Sequence, residues 1–180
     1  MAFLSRSRLF GLLLIMASLP LDPGIAMAAN AATAASPANP AAEAMEAMRR
    51  HAAADGVDLV VLSSFRSISL QRQLFFDVMA ERNQSSRERA QVSAPPGFSE
   101  HSTGYAVDLG DGRAPGTNVS RRFEDTAAYR WLQANAARYH FALSFPAHNP
   151  QGVSYEPWHW RFEGSTEALK LFEPAMRLSR

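Results

Sequence analysis

Residues 99–108, with the sequence SEHSTGYAVD, constrain the fold of this chain more than any other stretch. From Tyr105 onward the stretch has the aromatic and β-branched composition of a buried strand. Asp108 ends that run, and burying a carboxylate is unfavourable unless a positive partner compensates its charge. A divalent metal ion is one such partner, and His101 is a suitable second ligand. The stretch therefore predicts a strand whose carboxylate is paired with a positive group, and a metal ion is one candidate.

The N-terminus is predicted to be a targeting segment. Arg6 and Arg8 precede an apolar run at residues 9–19, and the small-residue sequence AMA follows at residues 26–28. Residues 1–28 thus have the layout of a secretory signal peptide, because the apolar run is too short for an ordinary membrane span. An uncleaved N-terminal anchor is the alternative. We expect an exported protein, with the periplasm as its destination.

Composition excludes several classes of partner. The chain has no cysteine, so we expect neither a disulfide framework nor a lipid-modified cysteine at the cleavage site. Removal of residues 1–28 leaves 16 basic and 16 acidic residues. A net charge of zero gives no electrostatic basis for binding nucleic acid or an anionic membrane. The oligomeric state stays open, with a monomer as the default expectation.

The rest of the chain is predicted to be a short linker and one domain. Residues 29–38 are rich in Ala, Asn, Thr, Ser and Pro and have little to bury, whereas residues 39–180 are long enough to form a core. The sequence predicts helices mixed with several short strands and no regular βαβ repeat, a pattern that indicates an α+β domain. The predicted helices cover residues 40–54, 69–78, 123–139 and 167–172; the predicted strands cover 58–63, 105–109, 141–145 and 155–162; residues 82–97 are predicted to be a loop.

His159 is a third candidate metal ligand. It lies in the last predicted strand, where aromatic and polar residues alternate, so it is expected on the polar face. Two imidazoles and a carboxylate from His101, Asp108 and His159 would suit Zn²⁺ and leave one position for water, the pattern of catalytic zinc sites. Glu156 is then a candidate general base, since a carboxylate beside the metal can take a proton from water.

Each of these residues also has a simpler explanation. An isolated histidine is more often a hydrogen-bonded structural residue, and Asp108 could cap a turn with Gly110. Glu156 and His159 are three residues apart and would face opposite sides of a regular strand. They converge only if the chain bends, and Pro157 is the candidate position for that bend.

Arg66 follows directly after the predicted strand at residues 58–63, so the end of the sheet would hold it in place. A fixed guanidinium suits the binding of a substrate carboxylate or of a developing oxyanion. The alternative is an ion pair with any nearby acid.

Three segments, taken in order, resemble a known family. They are SSFRS at residues 63–67, the stretch at residues 99–108, and EPWHWRF at residues 156–162. Together they resemble the VanY-type D-alanyl-D-alanine carboxypeptidases, which are zinc metallopeptidases of the bacterial cell wall. The resemblance extends from about Leu59 to Gly164.

This resemblance implies a small α+β fold, shared with lysostaphin-like and hedgehog-like domains, in which an antiparallel sheet flanked by helices holds zinc. It implies that the zinc ligands are His101, Asp108 and His159, that the general base is Glu156, and that the substrate carbonyl or carboxylate is bound by Arg66. The implied partner is the peptidoglycan stem peptide, and the implied reaction removes its C-terminal D-alanine.

The sequence departs from the family pattern at two places. Ser102 stands where Gln is common, and residues 64–65 are Ser-Phe where Gly-Tyr is common. These differences leave the substrate open, so an L,D-carboxypeptidase and an endopeptidase that cuts crosslinks are alternatives. A non-catalytic zinc-containing module that binds the cell wall is an alternative from another class. The presence of Glu156 argues against it, because a pure binder needs no general base.

Overall fold

The structure is a computed structural model that describes residues 39–177. The predicted signal peptide at residues 1–28 and the linker at residues 29–38 lie outside the described residues. The helices are α1 (Pro40–Ala54), α2 (Ile68–Glu81), α3 (Ser86–Ala90), α4 (Ala127–Asn135) and α5 (Thr166–Arg177), and the strands are β1 (Leu59–Ser63), β2 (Ala106–Asp111), β3 (Phe141–Leu143) and β4 (His159–Phe162). The predicted α+β class is confirmed.

The strands form one antiparallel sheet in the order β1-β2-β4-β3. Asp108 of β2 is paired with His159 of β4 on one side and with Ser63 of β1 on the other. Because directly paired residues project from the same face of a sheet, the register places two candidate ligands side by side.

The two faces of the sheet have opposite character. Leu109, Trp160 and Phe162 belong to the buried hydrophobic core, which also contains side chains of α1, α4 and α5. His159 and Arg161 alternate with these aromatic residues and lie on the other face, as predicted for this strand. One face of the sheet therefore supports the core and the other carries the polar site.

Helix α1 agrees with its prediction. The Asn39 side chain accepts a hydrogen bond from the Ala41 amide, and Pro40 occupies the first helical turn. Met45 and Met48 are buried in the core, as expected from their spacing. The side-chain Nδ2 of Asn39 also donates to the Gly104 carbonyl (3.2 Å), which joins the start of α1 to the stretch at residues 99–108.

The second helix is rotated relative to its prediction. The sequence predicts Ser69 as the cap of this helix, but Ser67 caps α2 by accepting from the Leu70 amide. The spacing of apolar residues predicts Leu70 on the buried face, but Leu70 is exposed, whereas Gln71 and Phe75 are buried. The reason is that the Gln71 side chain has polar partners inside the domain, described below, which a pattern based on apolar residues does not register.

Several boundaries also differ from the predictions. Helix α3 occupies part of the predicted loop at residues 82–97, where Ser85 and Glu88 form a capping box. Strand β2 continues to Asp111, which accepts a hydrogen bond from the Ala128 amide at the start of α4. Helix α5 passes through Pro174, where a short helix ending near residue 172 was expected.

The predicted helix at residues 123–139 is divided into three segments. A 3₁₀ turn (Arg121–Asp125) precedes α4, and another (Ala136–Tyr139) follows it. The Thr126 side chain caps α4 by accepting from the Tyr129 amide, so the α-helix begins after the predicted start.

Among residues 39–177, no helix has the length and apolar character needed to cross a membrane.

Candidate metal centre and active site

His101 lies on a 3₁₀ turn (Glu100–Thr103) that ends at Gly104, whose φ of +78° favours glycine. Its Nδ1 is 2.8 Å from the carbonyl oxygen of Ser64. Because a carbonyl can only accept a hydrogen bond, Nδ1 carries the proton and Nε2 keeps its lone pair. The His101 ring is thereby fixed with Nε2 available as a ligand.

The three candidate ligands form one buried group. Asp108 Oδ2 is 3.2 Å from His101 Nε2, and Asp108 Oδ1 is 3.1 Å from His159 Nδ1. One ligand atom from each residue lies within 4.8 Å of the others, and all three residues are buried. Two imidazole nitrogens and a carboxylate at this separation fit the donor set of a catalytic zinc site.

Electrostatics within this group also favour a cation. Burial acts against charge on Asp108, but the imidazoles of His101 and His159 beside it outweigh that effect and hold the pKa of the carboxyl well below its usual range. Burial likewise opposes a charged His159, but Asp108 and Glu100 raise the pKa of that imidazole to about 10. The surroundings therefore stabilise positive charge at this position, as a proton or as a metal ion.

Glu156 approaches the group from a turn that precedes β4. The structure has no strand at residues 155–158, so the last predicted strand is shorter and begins at His159. The chain bends around Pro157, and the His159 amide donates to the Glu156 carbonyl at 3.1 Å. The bend expected from the spacing is confirmed, and Glu156 Oε2 lies 3.9 Å from His159 Nδ1.

The environment of Glu156 suits proton transfer. Burial raises the pKa of its carboxyl to about 7, with the charge of His159 opposing this shift and that of Asp108 adding to it. A carboxyl group that titrates near neutrality can both take up and release a proton.

Arg66 is held by a buried network that the sequence analysis missed. Its Nη1 donates to Gln71 Oε1 (2.9 Å), and its Nη2 lies 3.4 Å from Ser63 Oγ. Gln71 is 1% exposed and donates through Nε2 to the Ala94 carbonyl (2.6 Å) and to Ser93 Oγ (3.1 Å). The amide thus connects the guanidinium to the segment that follows α3.

Glu100, like Gln71, is a buried residue of the site that was not predicted from the sequence. Its Oε2 lies 3.0 Å from His159 Nε2 and 2.5 Å from Ser144 Oγ. The only signal in the sequence is its position beside His101, and a turn residue of that kind is normally assigned to the surface.

A cavity of about 210 Å³ unites the sequence-predicted site residues. Arg66, Glu156 and the three candidate ligands all line it. Its other lining side chains include apolar residues, namely Val92, Phe98, Val119, Phe145, Val153 and Trp158. Ser102, the position of departure from the family pattern, does not line the cavity. The arrangement combines a cation-binding group, a carboxyl group able to exchange a proton and a fixed guanidinium in one space.

Known proteins are similar to this chain in sequence and in fold. A D-alanyl-D-alanine carboxypeptidase of Enterococcus faecalis is 34% identical over 136 residues, which are 71% of this chain and 48% of that protein. The structure of the LdcB LD-carboxypeptidase has a TM-score of 0.64 and 31% identity, covering 78% of this chain and 65% of that one. A vancomycin-resistance D,D-pentapeptidase VanY variant in complex with Zn(II) has a TM-score of 0.56 and 30% identity, covering 73% and 75%.

The curated relatives are longer proteins, and this chain spans about half the length of those it matches. A family model described as VanY, D-alanyl-D-alanine carboxypeptidase, matches residues 36–165, which is most of the chain. The matched range includes all three motif segments and every residue placed around the cavity. The chain therefore belongs to the VanY family of D-alanyl-D-alanine carboxypeptidases.

Proposed function

We propose that this protein is a zinc-dependent D,D-carboxypeptidase that removes the C-terminal D-alanine from peptidoglycan stem peptides. One observation carries the proposal: the three candidate ligands, Glu156 and Arg66 line a single cavity. Family membership and the Zn(II) complex of a related VanY protein support both the reaction and the metal. The assigned zinc ligands are His101, Asp108 and His159.

Zinc at this position would supply a Lewis acid for the scissile carbonyl and lower the pKa of water. Glu156 takes a proton from the attacking water while the water oxygen forms a bond to the carbonyl carbon of the substrate. The same carboxyl returns that proton to the amine nitrogen as the C–N bond breaks, which releases D-alanine and the shortened stem peptide. Arg66 binds the terminal carboxylate and so places the last peptide bond of the substrate beside Glu156.

The sharpest test replaces Glu156. We expect Glu156→Gln and Glu156→Ala to bind zinc as the wild type does and to release D-alanine about 10²–10⁴-fold more slowly, the usual contribution of a general base. Zinc content is measured by elemental analysis and D-alanine by a coupled assay. Glu81→Gln, which alters an exposed acid at the end of α2, is the matched control. Full activity of the Glu156→Ala protein with zinc bound would exclude the proposed role of Glu156.

The substrate is tested by supplying several stems in parallel. A D,D-carboxypeptidase shortens pentapeptide stems that end in D-Ala-D-Ala and leaves tetrapeptide stems intact. Loss of alanine from tetrapeptides alone would establish an L,D-carboxypeptidase, and cleavage of crosslinked dimers an endopeptidase. Binding of the zinc-loaded protein to cell-wall sacculi without release of alanine would indicate the non-catalytic binding module.

We propose further that residues 1–28 are a cleaved signal peptide, that residues 29–38 are a linker and that residues 39–180 form the catalytic domain in the periplasm. The support is the pattern of charged, apolar and small residues, together with a substrate that lies outside the cytoplasm. N-terminal sequencing of protein from the extracytoplasmic fraction should begin at Ala29. Recovery of protein that still begins at Met1 in the membrane fraction would favour the uncleaved anchor.

A further inference from the structure

Glu100 is a buried acid that the proposed reaction does not use. It is 2% exposed and lies on the turn that carries His101. A carboxylate in such a position needs hydrogen-bond donors to offset the loss of water. Its hydrogen-bond donors are His159 and Ser144.

Two donors converge on one carboxylate oxygen. An ionised carboxylate can only accept, so His159 Nε2 donates to Glu100 Oε2 at 3.0 Å and the Ser144 hydroxyl donates to the same oxygen at 2.5 Å. Ser144 is itself fixed to β4, because its amide donates to the His159 carbonyl at 3.1 Å. The other oxygen, Oε1, lies 3.7 Å from Arg161 Nη1. Glu100 is therefore anchored to β4, directly through His159 and Arg161 and indirectly through Ser144.

This arrangement determines which nitrogen of His159 faces the cation site. With its proton held on Nε2 by Glu100, the neutral ring keeps a lone pair on Nδ1, which is 3.1 Å from Asp108 Oδ1. His101 is fixed in the opposite sense, because its Nδ1 donates to the Ser64 carbonyl and Nε2 is the free nitrogen. One ring is thus anchored by a neutral carbonyl and the other by a buried carboxylate.

We propose that Glu100, held in place by Ser144, is a positioning residue that fixes His159 as an Nδ1 ligand and strengthens it as an electron donor to the metal. A carboxylate that accepts the distal N–H of a ligating histidine orients the ring and raises its basicity. Glu100 does not act as a second general base, since Oε2 is occupied by two donors and Oε1 is buried at ion-pair distance from Arg161, without a hydrogen bond. The inference rests on the proposed function for the presence of the metal.

The test compares Glu100→Gln with wild type by two measurements other than activity. Competition with a chelating dye gives the zinc affinity, and ¹⁵N NMR of the zinc-loaded protein gives the tautomer of His159. The amide of Glu100→Gln can still accept from Nε2 but carries no charge, so we expect zinc to bind about 10–100-fold more weakly with the tautomer retained. Glu100→Leu removes the acceptor as well, and we expect a further loss together with loss of the single tautomer. Ser144→Ala should weaken binding less than either.

Glu163→Gln is the matched control, because Glu163 accepts from Arg161 Nε at 2.7 Å without touching His159. Its zinc affinity should equal that of wild type. Wild-type affinity and an unchanged His159 tautomer in both Glu100 variants would overturn this inference while leaving the proposed function intact. Failure of the wild-type protein to bind zinc would instead overturn the proposed function.

Discussion

The lining of the cavity has two parts that are built in different ways. The ligand wall is Glu100, His101, Asp108 and His159, and the loop wall is Arg66, Val92, Phe98 and Val119. Every residue of the ligand wall is at most 8% exposed, whereas the three apolar residues of the loop wall are 39–57% exposed. The same cavity thus joins a closed hydrogen-bonded network to an open apolar surface.

The difference follows from what each wall has to hold. A buried charged group is stabilised when its partners are correctly placed and is costly when they are not. A metal site therefore needs ligands that paired strands and fixed rings keep in one geometry. A surface that receives part of a peptide can be assembled from loops, and its residues can change without loss of the fold. We therefore expect substitutions on the ligand wall to weaken metal binding and those on the loop wall to change substrate affinity or stability.

The largest expected effect is at Asp108, which contacts both ligand histidines. Asp108→Asn removes the anionic ligand, and we expect zinc to bind at least about 100-fold more weakly, beyond the range typical for residues that only support a ligand. Equilibrium dialysis followed by elemental analysis measures the loss. Asp125→Asn, at an exposed acid before α4, should bind zinc as wild type does. Equal zinc affinity in the Asp108 variant would remove the distinction between the two walls.

A smaller effect is expected at Arg66. A lysine cannot reproduce the two separate contacts of the guanidinium with Gln71 and Ser63, and it cannot bind a carboxylate through two parallel hydrogen bonds. We expect Arg66→Lys to raise KM about 10-fold with little change in kcat, because the contact is made to the bound substrate. Steady-state kinetics on a pentapeptide stem provide the measurement, with Arg50→Lys of α1 as the control. A fall in kcat at constant KM would assign Arg66 to the oxyanion instead.

The smallest effect is expected at Val119. This β-branched residue has a φ of +51°, a strained conformation that glycine adopts freely. We expect Val119→Gly to increase the free energy of unfolding by about 1 kcal/mol, with a loss of a few-fold in kcat/KM. Thermal and denaturant unfolding give the stability. Val92→Gly, at a valine of the same wall that lacks the positive φ, should be destabilised, and equal destabilisation of both variants would show that Val119 is not strained.

Some parts of the fold could be predicted from the sequence because their signals are local. Asn39 and Pro40 mark the start of α1, and the spacing of its methionines gives the buried face. The alternation in residues 159–162 places His159 opposite the core aromatics. Residue type and spacing made two histidines, an aspartate and Glu156 candidates for a metal site with a general base, and the resemblance of three short segments to the VanY family implied the same roles. The structure brings these residues into one cavity.

Other parts depended on contacts between distant residues. The amphipathic pattern of α2 was assigned to Leu70, although the residue that turns inward is Gln71, whose partners lie near residues 66 and 94. The capping box that begins α3 is present in the sequence, but the polar composition around it indicated a loop.

The sequence by itself determined the family, the fold class and the residue types available for a metal and a base. The tertiary structure decided how the stretch at residues 99–108 is used. The histidine and the aspartate of this stretch lie beside His159 of β4, and Glu100 is buried against the same residue. The physical reason is that a hydrogen bond between residues 59 positions apart depends on strand register and on the burial of charge. Both exist only after the sheet has formed.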